Sequence, residues 1–149
     1  SNLVGPVNVK NDMLVDELAN FSKVRTKSGD WQIATRDCRS AKEDVVRAAG
    51  GAGDSLVYQL PSAIQNFRVY VFFPKVEDDP RFSLAGTDGI FHEITVQKKS
   101  YFEGAGEYGY WKPVEFYAQK LSGGVSLKID LAGDTQISRV EITHSASPP

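Results

Sequence analysis

The sequence predicts an all-β domain: a β-sandwich of two antiparallel sheets with jelly-roll connectivity. Three observations carry this. Apolar residues recur with period two along most of the chain. Turn signals rich in Gly, Asp and Pro fall between the runs. The single helix candidate, residues 40–49, contains the β-branched pair Val45-Val46, which weakens it. In chain order, short strands are expected at 13–17, 22–25, 31–35, 45–48 and 55–60. The long run Ile64–Phe73 puts Phe67, Val69, Val71 and Phe73 on one face and Arg68, Tyr70 and Phe72 on the other. Residues 81–87 turn Phe82 and Leu84 inward, and 91–97 forms the next strand. Lys112–Ala118 alternates Val114, Phe116 and Ala118 with Glu115 and Tyr117. Residues 125–131 alternate Val125, Leu127, Ile129 and Leu131 with Ser126, Lys128 and Asp130, and 139–143 closes the series. Gly50-Gly51-Ala52-Gly53-Asp54, Asp78-Asp79-Pro80, Ser122-Gly123-Gly124 and Gly133-Asp134 separate the runs. Asp88-Gly89 between two apolar runs is a hairpin signal.

The chain has 149 residues and 41% hydrophobic content, enough for one domain with a substantial core. Residues 13–144 are read as the sandwich, 1–12 as an N-terminal extension or linker, and 145–149 as the start of a C-terminal linker. A net charge of −2 with mixed signs gives no basic field, so nucleic acid is not an expected partner. No run is long and apolar enough for a transmembrane helix, so no membrane partner is expected. The one cysteine, Cys38, has no partner for an internal disulfide, and Cys/His metal-ligand spacings are absent. A monomer is expected.

Aromatic residues supply the main functional signal. Tyr101, Phe102, Tyr108, Tyr110 and Trp111 crowd a glycine-rich stretch between two strands. Flat apolar rings normally go to the core. Beside polar groups they suit a sugar, whose C–H faces stack on rings while its hydroxyls form hydrogen bonds. The alternative is that the rings cap one end of the sandwich. A second candidate surface is the non-core face of the long strands. It carries Arg68, Tyr70 and Phe72, joined by Tyr117 and Lys128 if their strands are neighbours; the alternative is filling beneath a covering loop. Trp31, beside a turn, reads as core.

For catalysis, Glu93, Glu103, Glu107 and Glu115 are the carboxylates available for glycoside hydrolysis, but nothing in their spacing pairs them. His92 and His144 lack a nucleophile context. Gly50-Gly51-Ala52-Gly53 has the glycine count of a phosphate loop without the Lys or the subsequent helix, and reads as a strand connection.

Several segments together resemble one family. Leu14-Val15-Asp16-Glu17-Leu18-Ala19-Asn20-Phe21-Ser22-Lys23-Val24 is similar to the D-D-L-N-D-F-S-K-V opening of certain bacterial carbohydrate-binding modules. Ser28-Gly29-Asp30-Trp31 resembles their S-G-N-W, and Ser55-Leu56-Val57-Tyr58-Gln59-Leu60-Pro61 their S-L-V-Y-x-L-P. Thr87-Asp88-Gly89-Ile90-Phe91-His92-Glu93-Ile94 is similar to their S-D-G-x-x-W-x-E-V hairpin. Leu127-Lys128-Ile129 and Ile137-Ser138-Arg139-Val140-Glu141-Ile142 resemble L-K-I and the closing I-S-R-V-E-I. The order and spacing of these segments, across residues 14–143, carry the resemblance. The hairpin is one residue short and has Phe91 where the family tends to have Trp, and the Tyr-rich loop is this chain's own.

The resemblance implies a galactose-binding-domain-like jelly roll. It implies a non-catalytic module, appended to a secreted mannanase or other polysaccharide-degrading enzyme, that holds its catalytic domain on the glycan. The implied partners are a polysaccharide, mannan or another β-glycan, and a catalytic domain in the same parent chain. The implied place is extracellular or on a bacterial cell surface. The alternative is an interaction or packing domain of a larger secreted protein without glycan binding. Such sandwiches often hold a structural calcium ion near the paired termini, for which Asp16, Glu17 and Glu141 are the candidates; the alternative is solvated strand-end charge.

Overall fold

The structure is a computed structural model that describes residues 11–38, 43–100 and 111–145, with backbone only at 35–38 and 43–45. Twelve strands succeed one another with no helix among the described residues. They are β1 (Asn11–Asp16), β2 (Thr26–Ser28), β3 (Gln32–Cys38), β4 (Glu43–Gly50), β5 (Ser55–Gln59) and β6 (Ile64–Phe73). Then come β7 (Arg81–Ala85), β8 (Phe91–Ile94), β9 (Gln97–Ser100), β10 (Lys112–Ala118), β11 (Ser126–Asp130) and β12 (Thr135–Ser145). A seven-stranded sheet runs β3-β4-β12-β6-β10-β9, with β1 pairing the second half of β12, and a five-stranded sheet runs β2-β5-β11-β7-β8. Every pairing among these strands is antiparallel.

The period-two pattern sets the layers. Phe67, Val69, Val71 and Phe73 of β6 and Val114, Phe116 and Ala118 of β10 are buried, and so are Leu127 and Ile129 of β11 and Phe82 and Leu84 of β7. Rings bridge the two sheets, Phe82 packing against both Phe67 and Phe116 at 5.5 Å between centroids, while within the large sheet Phe73 meets Phe116 edge-on at 6.1 Å. Trp31 is core, as expected. It is 4% exposed, and its indole N–H donates to the carbonyls of Ser28 and Ser55.

The differences from the sequence reading have physical reasons. Residues 22–25 form a turn, closed by Val24 N–H to the Phe21 carbonyl at 3.1 Å, and pairing starts only at Thr26. The single strand expected at 91–97 is two. β8 stays in the small sheet, β9 joins the large one, and the chain crosses between them while Ile94 and Val96 pack on the core. The weak helix candidate is strand β4 from Glu43 onward. β12 is longer than 139–143 because a bulge at Ser138 lets Ile137 and Val140 both face inward. At the termini, Asn11 pairs with Ser145, just beyond the 13–144 limits.

Candidate functional site

The outer face of the large sheet gathers four of the expected residues. The β6–β10 register sets Arg68 opposite Tyr117, Tyr70 opposite Glu115, and Phe72 opposite Pro113. Arg68 Nε lies 3.8 Å from Glu115 Oε2. Its pKa is raised, chiefly by a hydrogen bond to Tyr70, with the Glu115 and Glu141 carboxylates adding to it. The Tyr117 hydroxyl donates to Gln97 Oε1 at 3.1 Å. Phe72 is not an open platform, because the Arg47 guanidinium lies 3.5 Å from its ring centroid and also donates to Gln136 Oε1. Where the Ser138 bulge opens the β6–β12 pairing there is a hollow of about 410 Å3. Tyr70, Phe72, Pro113, Ser138, Arg139 and Glu141 line it.

Lys128 does not join this face. It lies on β11 in the other sheet, between Val57 and Ser83, 3.8 Å from Asp130 and 5.7 Å from the Phe91 ring centroid. Alternation identified its outward side correctly, but β10 and β11 belong to different layers.

The other expected site was the Tyr-rich loop. Tyr101, Phe102, Tyr108 and Tyr110 lie outside the described residues; Trp111 lies within them, half-buried immediately before β10. It stands where several connections meet at one end of the sandwich: the end of β6, the β4–β5 turn, the β11–β12 turn and the link into β3. Two hollows of about 440 and 520 Å3 adjoin it and share Pro74, Trp111 and Asp134. One extends over Gly50 and Gly51 toward Asp30, Asp54 and Gln136, the other along Lys75, Val76 and Asp78. Trp111, Pro74 and Val76, the last 61% exposed, make an apolar wall. The charged side chains that line the two hollows are Asp30, Asp54, Asp78, Asp134 and Lys75.

Local chemistry fixes this end. Asp54 Oδ2 accepts from Gly51 N–H at 2.8 Å and Oδ1 from Asp30 N–H at 3.4 Å, so one carboxylate ties the β4–β5 turn to the link entering β3. Gly29 has φ +104, and a Cβ there would lie 1.9 Å from Asp54 Oδ1, so only glycine fits. At Gly133 a Cβ would lie 2.3 Å from Asp78 Oδ2, which brings the Asp78 carboxylate against the β11–β12 turn beside Asp134. Sequence reading missed Asp30, Asp54, Asp78 and Asp134 as a group. The available signal was that all four occupy turns flanking strand ends. Gly50-Gly51-Ala52-Gly53 is, as expected, a strand connection, and it floors part of this groove.

The calcium candidates are not gathered into one ligand set. Asp16 is buried, accepting from Leu18 N–H and from the Tyr58 hydroxyl, both at 2.9 Å. Glu17 and Glu141 both bind Arg139. The Arg139 pKa is raised, chiefly by its hydrogen bond to Glu141. Among the described residues no group of three His, Cys, Asp or Glu is placed to hold a metal.

The two catalytic candidates among the described residues are apart. Glu93 lies on β8 in the small sheet, while Glu115 lies on β10 with its carboxylate beside Arg68; Glu103 and Glu107 lie outside the described residues. His92 is exposed on β8. His144 Nδ1 is 2.7 Å from Ser62 Oγ, a pairing the sequence did not suggest. The Ser62 hydroxyl donates to the Ser145 carbonyl, so this contact closes the β6–β12 end rather than freeing a nucleophile.

No family model matches this chain, and no curated protein matches it. Solved structures do. A family 6 carbohydrate-binding module, the subject of a binding sub-site dissection, matches with TM-score 0.50 at 12% identity over 89% of this chain and 94% of that one. The C-terminal family 6 module of LamC, a marine laminarinase from Zobellia galactanivorans, matches with TM-score 0.45 at 18% identity over 89% and 99%. The first likeness shows that the chain has the β-sandwich fold found in family 6 carbohydrate-binding modules.

Proposed function

We propose that this domain is a non-catalytic carbohydrate-binding module and that the groove beside Trp111 is its glycan site. The observation that carries the reading is Trp111 set between two adjoining hollows that Pro74, Val76 and four aspartates also line. A pyranose offers an apolar C–H face and a rim of hydroxyl donors. Stacking on Trp costs little side-chain entropy, because the ring has only two χ angles to fix. Carboxylate oxygens accept from the hydroxyls. The shared fold and the resemblance in sequence support the same class. In this reading the domain belongs to a secreted bacterial enzyme, holds it on mannan or another β-glycan, and acts by raising effective concentration. Binding of about 10⁻⁴–10⁻⁵ M, or roughly −5.5 to −7 kcal/mol, is enough for that role.

Pull-down on insoluble mannan, cellulose and xylan, with calorimetry on the soluble forms, tests the reading. Trp111→Ala is expected to weaken binding by about 1–2 kcal/mol, the scale of one well-used aromatic contact. Retention on none of these glycans would favour the packing-domain alternative. If Trp111→Ala binds as wild type while Tyr70→Ala or Tyr117→Ala loses binding, the site is instead the outer sheet face, whose hollow beside Tyr70 is the observation favouring it. If Trp111→Ala unfolds the domain, the ring is a cap.

A further inference from the structure

The charge around the Trp111 groove is one-sided, and the geometry points to a site that takes uncharged pyranose chains and turns away chains bearing uronate or sulfate. This rests on the reading of the groove as the glycan site and adds the substrate class. Asp30, Asp54, Asp78 and Asp134 line the two hollows, from four different connections. Asp54 accepts from the backbone N–H groups of Gly51 and Asp30, neutral donors that leave its negative charge in the groove. Gly133 lets Asp78 lie against the turn that carries Asp134, and both carboxylates line the hollow along Lys75 and Val76, Asp134 lining the other hollow too. Among the described residues the one cation lining either hollow is Lys75, and the Lys112 ammonium donates to the Lys75 carbonyl at 3.3 Å. The neighbouring Lys98 is engaged by Glu77 at 3.2 Å and Asp79 at 3.0 Å.

Carboxylates accept hydrogen bonds and cannot donate them while ionised. They match the hydroxyl donors of a neutral sugar and present nothing to a second carboxylate. Like charges a few ångströms apart at a protein surface change binding by about tenfold or more at low salt, and salt screens them beyond about 10 Å at 0.1 M.

The test uses soluble glucomannan and hydroxyethylcellulose, each native and after oxidation of its primary alcohols to carboxylates. Affinity electrophoresis or calorimetry at low and high salt reads the ratio of the two affinities. The expected result is a native form bound about tenfold or more tighter than its oxidised form at low salt. The gap should shrink in about 1 M salt and in the Asp78→Asn/Asp134→Asn variant, whose fold is checked by its melt. Equal binding of native and oxidised forms overturns this inference while leaving the glycan-binding reading intact. So does a ratio that neither salt nor the variant moves, because the preference then comes from lost hydroxyls rather than charge. Binding to none of the four polymers overturns this inference, and failure on mannan, cellulose and xylan as well overturns both.

Discussion

Replacing Tyr58 by Phe removes one oxygen from the interior and leaves a buried carboxylate short of a partner. Tyr58 is fully buried and Asp16 is 4% exposed. The Tyr58 hydroxyl donates to Asp16 Oδ2 at 2.9 Å, while Asp16 Oδ1 accepts from Leu18 N–H at 2.9 Å. That second bond holds Leu18 at φ +56, a left-handed conformation unusual for a branched side chain, with Leu18 itself fully buried. The phenyl ring of the variant fills nearly the same space, so the cavity contribution is small. The loss is a hydrogen bond to an ionised group, about 2 kcal/mol, which for a domain near this size lowers the melting temperature by about 4–8 °C. Urea denaturation should show the midpoint moving with its slope unchanged. The pH dependence gives a second readout. Burial first, then the Asp16 charge and hydrogen bond, raise the Tyr58 pKa well above the ordinary 10.0. The folded chain therefore keeps this proton where the unfolded chain releases it. The stabilisation is fully present below pH 10 and declines as pH rises beyond it, so wild type should lose its advantage over Tyr58→Phe in that range. A variant within about 0.5 kcal/mol of wild type at neutral pH, the ordinary range for surface changes, would refute the account.

Three further outcomes are expected. Gly29→Ala should destabilise by about 1–3 kcal/mol, because it meets both a positive φ and the Asp54 carboxylate; a neutral result in a urea titration would show that the turn relaxes freely. Melts in chelator and in millimolar calcium should coincide as far as Asp16, Glu17 and Glu141 are concerned, since Arg139 binds both glutamates and Asp16 faces the core. A calcium-dependent rise abolished by Glu141→Gln would contradict that. Long incubation with mannan, xylan and β-glucan should release no oligosaccharide, Glu93 and Glu115 standing on different sheets; product abolished by Glu→Gln at Glu93, Glu103, Glu107 or Glu115 would overturn it.

The sandwich was legible because burial tracks alternation, and alternation is local. Ile64–Phe73 and Lys112–Ala118 have the limits that their apolar patterns predict, and their inward residues are the buried ones. Alternation says which side of a strand faces the core but not which sheet holds the strand. That is why Lys128, correctly read as outward, was placed beside Arg68 and Tyr70 when its strand lies in the other layer. The split of 91–97 escaped notice for a related reason. Ile94 and Val96 both touch the core, so the apolar spacing runs on unbroken while the backbone changes sheets.

The groove at Trp111 is the harder case, because its parts come from connections that local pattern treats as punctuation. Asp30, Asp54, Asp78 and Asp134 each sit in a Gly- or Asp-rich turn, where such residues serve turn geometry anyway. Asp54 does so here, through Gly51 and Asp30. They form one surface because β6, β4 and β11 end, and β5, β10 and β12 begin, at the same end of the sandwich. Strand direction comes from counting crossings, so this convergence depends on every strand before it being assigned correctly. The merged β8–β9 run leaves that count intact, because both strands run toward the Trp111 end and the chain changes sheets without reversing. Trp111 was legible as an aromatic out of place. The carboxylates facing it became a site only once the antiparallel register placed their turns together.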